Sequence, residues 1–312
     1  METSGKVSAL LGNVGKAIKG KPDAVRLAVV ALLGRGHLLV EDVPGIGKTT
    51  LAYSIARSIN CTFHRVQFTS DLMPSDITGV TIFNQTTHEF EFKEGPVFAN
   101  IVLADEINRT TPKTQSALLE AMNEGQVTVE KRTFLLPRPF MVIATQNPVE
   151  FQGTFPLPES QMDRFMMRIR LGYPSQADEK EILRAYSEEV IKDGLMPVLS
   201  ADDVLALQEE AMRVRVDESL MEYIISIADA TRRSDNLALG VSPRGTLFLQ
   251  KAARAMAMVM GRDYCTPDDV KELAVPVLSH RVMVNARGGY GRRGIDAEDV
   301  VRDIVETVEV PV

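Results

Sequence analysis

Gly45, Gly47, Lys48 and Thr49 lie in one short stretch between an apolar run and a helix-forming one. That grouping suits phosphate. Glycines let backbone N–H groups turn inward around an anion, a lysine there reaches the β- and γ-phosphates, and a threonine hydroxyl ligates Mg²⁺. The whole stretch, Asp42-Val43-Pro44-Gly45-Ile46-Gly47-Lys48-Thr49-Thr50, is read as a loop that cradles a nucleoside triphosphate. It departs from G-x-x-x-x-G-K-[ST] at the first position, where Asp42 stands in place of glycine.

Hydrolysis at such a loop needs a metal anchor and a group that activates water. Asp105 and Glu106 close the apolar run Ile101-Val102-Leu103-Ala104, which sets two carboxylates at the carboxyl edge of a parallel sheet, where the loop also lies. In those roles Asp105 holds Mg²⁺, through water, and Glu106 polarises the attacking water. A later apolar run, residues 140–144, ends in Thr145-Gln146-Asn147-Pro148. The Asn147 amide there is able to orient water or touch the γ-phosphate without adding charge, although Asn before Pro is also simply a good turn. Ser242 reads as an N-cap and Pro243 as the first helical residue, so Arg244 falls on a first helical turn. A cation there opposes the helix dipole unless it faces a phosphate.

These groups have to be delivered by a strand, a loop and a helix in that order. His37-Leu38-Leu39-Val40 is typical of a buried parallel strand, and Leu51, Ala52, Ile55 and Ile59 form one stripe of a helix over residues 48–59. A helix is expected over residues 23–33; what precedes it reads as a polar start. Further strands are expected at 62–68, 101–104, 140–144 and 165–171, an alternation that favours a parallel sheet with flanking helices. Val80-Thr81-Ile82-Phe83 with Phe90-Glu91-Phe92, and Val127-Thr128-Val129 with Thr133-Phe134-Leu135, read as two inserted hairpins. From about residue 173 the pattern is helical alone, with capping patterns at Ser200, Thr266 and, more weakly, Asp296. The expectation is an α/β domain over residues 1–172 and a small all-α domain over 173–312.

A chain of 312 residues buries two cores without staples, and Cys61 and Cys265, far apart and in no C-x-x-C pair, read as reduced structural thiols. No run approaches the roughly 20 apolar residues of a membrane span, and the start lacks the pattern of a secretory leader, so a cytoplasmic protein is expected. The net charge of -7 counts against duplex-DNA binding. His37, His64, His88 and His280 show no metal-ligand spacing. Residues 287–294, rich in Gly and Arg, read as one short loop rather than an RNA-binding tract.

Together these motifs resemble the AAA+ ATPases, and within them the MoxR group, from about residue 14 onward. The likeness is carried by the loop with Glu41 before it, by Phe68-Thr69-Ser70-Asp71-Leu72-Met73-Pro74-Ser75-Asp76-Ile77-Thr78-Gly79 and by Ala104-Asp105-Glu106-Ile107-Asn108-Arg109. Thr145-Gln146-Asn147-Pro148, Leu157-Pro158-Glu159-Ser160-Gln161-Met162-Asp163-Arg164-Phe165 and Ser242-Pro243-Arg244 complete it. Asp42 looks like a variant the group tolerates, while Gly20-Lys21 stands where relatives usually have Gly-Gln beside the adenine. The resemblance implies an AAA+ P-loop sheet domain with hairpin inserts, then a lid, with ATP and Mg²⁺ as cofactors. It further implies self-association into a ring, commonly a hexamer, in which Arg164 reaches the neighbour's nucleotide as a finger; Arg109, Arg168 and Arg170 are rival candidates. Arg244 would sense nucleotide from the lid. Hydrolysis would then drive chaperone-like remodelling or maturation of client protein complexes, with a von Willebrand factor A-domain adaptor as partner. Two other classes stay open at this point: a nucleic-acid motor or loader, and a P-loop kinase.

Overall fold

The structure, a computed structural model, describes residues 2–148, 153–185, 194–285 and 296–311. The Gly/Arg-rich stretch at 287–294 lies outside the described residues. A helix, α1 (Thr3–Ala17), occupies what reads in the sequence as a polar start. Val7, Leu10 and Val14 are buried along it, but Gly5, Gly12 and Gly15 weaken the helical reading because glycine costs about 1 kcal/mol in a helix interior. α2 (Pro22–Leu33) follows, with Pro22 at its first turn, where its missing N–H costs no bond.

β1 (Leu38–Glu41), α3 (Lys48–Ser58), β2 (Phe63–Gln67) and α4 (Pro74–Thr78) lead to a hairpin of β3 (Gly79–Asn84) and β4 (Glu89–Glu94). β5 (Ile101–Asp105) and α5 (Pro112–Glu124) precede a second hairpin, β6 (Gln126–Val129) and β7 (Arg132–Leu135). β8 (Met141–Gln146), α6 (Glu159–Met162) and β9 (Met167–Ile169) complete this part. The central sheet is parallel, in the order β2-β5-β8-β1-β9.

Its strands are apolar on both sides because both faces are covered. Leu38, Val40, Ile101, Leu103, Met141 and Ile143 face α1, α2, α3 and the helices that come later in the chain. The alternate residues Leu39, Val102, Ala104, Val142 and Ala144 face α4 and α5, through Ile77, Leu118 and Leu119. The two hairpins stand outside the sheet and touch each other. Phe92 stacks on Phe134 with ring centroids 4.1 Å apart, while Phe83 and Phe90 stay exposed.

Beyond Gly172 come α7 (Gln176–Ala185), α8 (Ala201–Arg213), α9 (Glu218–Arg233), α10 (Pro243–Val259), α11 (Pro267–Leu278) and α12 (Ala297–Thr307). A short antiparallel ladder, β10 (Leu237–Leu239) with β11 (Met283–Val284), adds to the helices expected there. The caps form as read: Ser200 and Ser242 accept from the N–H groups of Asp203 and Gly245, and the Asp269 carboxylate accepts from Thr266 N–H. The apolar core of this lid is continuous with α1, α2 and the sheet. Gln208 of α8, buried, donates to the Leu32 carbonyl at the end of α2.

Candidate functional site

The carboxyl ends of β1, β5 and β8 bring the first group of residues together. Glu41 pairs in register with Gln146, so the loop after β1 starts beside Asn147, which is half-buried at the end of β8. Gly45 (φ +85°) and Gly47 (φ +95°) adopt left-handed conformations, which favour glycine. A Cβ at Gly45 would meet nothing within 4 Å, so the loop is open on its ligand side. Gly45, Ile46 and Gly47 N–H groups donate to no acceptor among the described residues. These backbone donors lie at the start of α3, where the helix N-terminus also favours a polyanion.

Lys48 is buried, and its ammonium donates to the Asp42 carbonyl at 2.5 Å. Burial lowers its pKa while Asp105, Asp42 and Glu106 pull it back up, which keeps a cation beside three carboxylates. Thr49 follows, half-buried, on the first turn of α3. Asp42 departs from the expectation that it lines the phosphate site. Its carboxylate turns away and accepts from the N–H groups of Val43, Leu171 and Gly172. What Asp42 offers to the loop is its carbonyl.

Asp105 and Glu106 are fixed by neighbouring strands. β2 pairs with β5 so that Gln67 lies opposite Asp105, and Arg65 is on the same edge strand. Arg65 bonds Asp105 Oδ2 at 2.6 Å, and buried Thr145 donates to Asp105 Oδ1 at 2.7 Å. Thr145 also accepts from Glu106 N–H at 2.8 Å. Glu106 is a non-glycine residue in the left-handed region (φ 57°), a strained backbone that this bond helps to hold. Its carboxylate accepts from Gln67 Nε2 at 2.8 Å and pairs with Arg109 Nε at 3.2 Å. Gln67, Arg65 and Thr145 thus belong to the site; Thr145 enters the sequence reading only as a neighbour of Asn147, and Gln67 and Arg65 do not stand out there.

Arg164 and Arg244 are not brought to this group. Arg164 precedes β9, whose Met167 pairs with Leu38, so it enters the sheet at the amino edge, opposite the phosphate loop. Its guanidinium donates to the Leu119 carbonyl at 2.9 Å, and its Nε is buried without a partner among the described residues. Arg244 goes with it: its side chain is half exposed and 3.9 Å from Asp163. Within this chain Arg244 therefore stands apart from the phosphate loop, because the lid sets the start of α10 against the turn before β9. Asp163 also accepts from Ser242 Oγ (3.0 and 3.1 Å) and from Arg281 Nε (3.0 Å). Arg281 is buried, its pKa lowered to about 10 by burial against the pull of Asp163, so it stays charged at neutral pH.

The residues at the carboxyl edge fit a magnesium-bound triphosphate. They supply an open set of N–H donors, one ammonium, one hydroxyl and one carboxylate. No group of three or more His, Cys, Asp or Glu that could hold a metal occurs among the described residues. Mg²⁺ characteristically takes one or two protein oxygens together with substrate phosphates and water.

Residues 37–167 match the family described as "ATPase family associated with various cellular activities (AAA)", and residues 229–304 match the "AAA lid domain". Fold and site therefore define an AAA+ ATPase core with its lid. The chain is 50% identical over 300 residues to YeaC of Bacillus subtilis strain 168, itself uncharacterised, covering 96% of this chain and 93% of that one. It is 43% identical over 307 residues to chaperone MoxR1 of Mycobacterium tuberculosis, covering 96% and 80%. A crystal structure of a candidate ATPase from Cytophaga hutchinsonii matches with a TM-score of 0.92 at 39% identity, over 99% of this chain and 96% of that one. The chain belongs to the MoxR group of AAA+ ATPases.

Proposed function

We propose that this protein binds ATP with Mg²⁺ and hydrolyses it at sites completed between neighbouring subunits of a ring, taken to be a hexamer. The observation that carries this reading is a separation. Lys48, Asp105, Glu106 and Asn147 gather at one edge of the sheet, whereas Arg164 and Arg244 lie beyond the other. An ATPase whose arginines stand away from its own phosphate loop has a use for them in a neighbour's site.

In this mechanism the N–H groups of Gly45, Ile46 and Gly47 hold the phosphate oxygens, with Val43, Pro44 and Thr50 shaping the loop. Lys48 leaves the Asp42 carbonyl to reach the β- and γ-phosphates. Thr49 and Asp105 would hold Mg²⁺, which when bound would neutralise phosphate charge. Glu106, once off Gln67, accepts the proton of the attacking water, and Asn147 orients that water. The neighbour's Arg164 and Arg244 stabilise charge on the transferring phosphoryl group, an effect of about 10³-fold or more for an arginine finger.

The division at residue 172 belongs to the same reading, with the turn after β9 as the joint between core and lid. The cycle would remodel or mature a client protein complex in the cytoplasm, reached through a von Willebrand factor A-domain adaptor. A chaperone name on the M. tuberculosis relative supports the first half of that statement. No helix of the described residues is long and apolar enough to cross a membrane.

Mixing subunits tests the shared site. Lys48→Ala and Arg164→Ala chains should each be inactive alone and recover ATPase activity when mixed, since one interface then has both an intact loop and an intact finger. No recovery on mixing overturns the shared site. For the client, an ATP-trapped Glu106→Gln chain should retain an adaptor or enzyme complex; retention of nucleic acid with DNA-stimulated hydrolysis would favour a motor instead.

A further inference from the structure

We propose that Asp42 is a positioning residue that couples occupancy of the phosphate loop to the turn at Leu171 and Gly172, where β9 gives way to the lid. The proposal rests on the ATP reading above. One side of Asp42 is held by the turn: Oδ2 accepts from Leu171 N–H at 2.8 Å and from Gly172 N–H at 2.7 Å. The other side is held by the loop, because its carbonyl accepts from Lys48 Nζ at 2.5 Å. The glycine of the usual motif would supply the carbonyl but not the carboxylate.

The two sides are joined through a single peptide unit. The Asp42 carbonyl and the Val43 N–H belong to that unit, which is planar and turns as one body. Val43 N–H donates back to Asp42 Oδ1 at 3.0 Å. A continuous chain of contacts therefore runs from Lys48 Nζ to the 42–43 peptide, to the Asp42 carboxylate, to the amides of Leu171 and Gly172. Charge-assisted hydrogen bonds at both ends make these contacts stronger than neutral ones.

Phosphate oxygens and the Asp42 carbonyl compete for the same ammonium. When phosphate takes Lys48, the carbonyl loses its charged donor and the peptide unit can rotate, which moves the Val43 N–H that orients the carboxylate. The turn has a second hold, since Lys21 Nζ donates to the Tyr173 carbonyl at 2.6 Å. Gly172 itself is in a left-handed conformation (φ +64°), so the turn has a defined shape to keep. Of the two holds, the one at Asp42 is wired to the phosphate loop.

The test is hydrogen–deuterium exchange on peptides covering Leu171 and Gly172, with the full-length chain, with and without a slowly hydrolysed ATP analogue and Mg²⁺. Nucleotide binding is measured on the same samples by fluorescence. In the wild type, exchange at these amides should quicken by about fivefold or more when nucleotide binds, as protection by a native hydrogen bond is lost. In Asp42→Gly it should be fast in both states, with binding retained, so that the nucleotide-dependent difference disappears. Asp42→Asn, which keeps one acceptor oxygen, should lie between the two and serves if the glycine variant does not fold. Its KM for ATP should stay within about threefold of wild type while kcat falls further, the pattern of lost coupling rather than lost binding. A merely structural Asp42 would lower stability and leave the nucleotide-dependent difference in place. That result overturns the proposal, as does a wild type that binds the analogue with no change at Leu171 and Gly172. Failure of the wild type to bind the analogue overturns the ATP reading and this coupling together.

Discussion

The side-chain amide of Gln67 donates a 2.8 Å hydrogen bond to Oε2 of Glu106, the carboxylate assigned to activate water. β2 and β5 pair in register there, so the bond follows from the sheet itself. Gln67 and Arg109 both engage that same oxygen, Oε2, which holds the carboxylate toward protein donors rather than toward a γ-phosphate. Gln67→Ala should therefore raise basal ATP turnover, by about threefold for one hydrogen bond of modest net strength, with KM unchanged. Glu106→Gln should instead lower turnover by about 100-fold or more. Steady-state kinetics on the two variants decides the point: a fall in turnover for Gln67→Ala would mean that Gln67 assists Glu106 in place of restraining it.

The groups that were legible in the sequence are those carried by contiguous strings. Gly45, Gly47, Lys48 and Thr49 announce their chemistry by spacing, and Asp105 and Glu106 by ending an apolar run. Gln67 and Arg65 were not legible because their role exists only through the register of β2 with β5, which the expected strand at 62–68 does not by itself reveal. Arg281 is the stronger case, since its partner Asp163 is 118 positions away and its burial is created by the lid packing over the turn before β9. For Arg244, capping chemistry correctly gave the first turn of a helix, but local pattern carries no information about which edge of the sheet that helix approaches. α1 was missed for a different reason: its buried stripe is real, and three glycines dilute it.

Asp163 is the charge partner that makes a buried Arg281 tolerable. The guanidinium also bonds the Phe165 and Val277 carbonyls and lies 5.1 Å from the Phe248 ring centroid. Asp163→Ala leaves that cation buried beside neutral acceptors only, a loss of about 3–5 kcal/mol for a broken buried pair. Ser242→Ala removes an N-cap and one donor to Asp163, and should cost about 1 kcal/mol. Urea denaturation of the three chains should give that order. Equal midpoints for wild type and Asp163→Ala would show that Arg281 finds sufficient partners without the carboxylate.

The two hairpins should respond unequally to truncation of the rings that join them. Phe92 stacks on Phe134 and also meets Phe98 edge-on at 5.7 Å, so β3 and β4 keep an anchor when Phe134 is lost. Phe134→Ala should speed limited proteolysis in β6 and β7 more than in β3 and β4, whereas Phe92→Ala should speed it in both. An aromatic pair contributes about 0.5–1.5 kcal/mol beyond its buried area, enough to change local opening several-fold without unfolding the sheet. Identical cleavage patterns for the two variants would show that the hairpins hold their places independently of this stack.

Acid should weaken the fold through His37. The ring is buried at the start of β1, with Nδ1 accepting from Val142 N–H at 3.0 Å and Nε2 placed 3.0 Å from the Met122 carbonyl. That pattern uses the neutral ring, with one nitrogen as acceptor and the other as donor. Burial pushes the pKa down to about 4, against a partial pull upward from the Met122 carbonyl. The unfolded chain, with an ordinary histidine pKa near 6.5, therefore binds more protons than the folded one between about pH 6.5 and pH 4. Stability is fully present above pH 6.5 and is lost as pH falls through that window, by about 3 kcal/mol in total for this one group. His280, also buried and lowered in the same direction, adds to the loss. Unfolding free energies measured in urea at pH 7, 6, 5 and 4.5 should decline for the wild type and decline less for His37→Gln, which has no proton to take up. Parallel curves for the two chains would remove His37 as the cause, leaving His280 as the buried group to replace next.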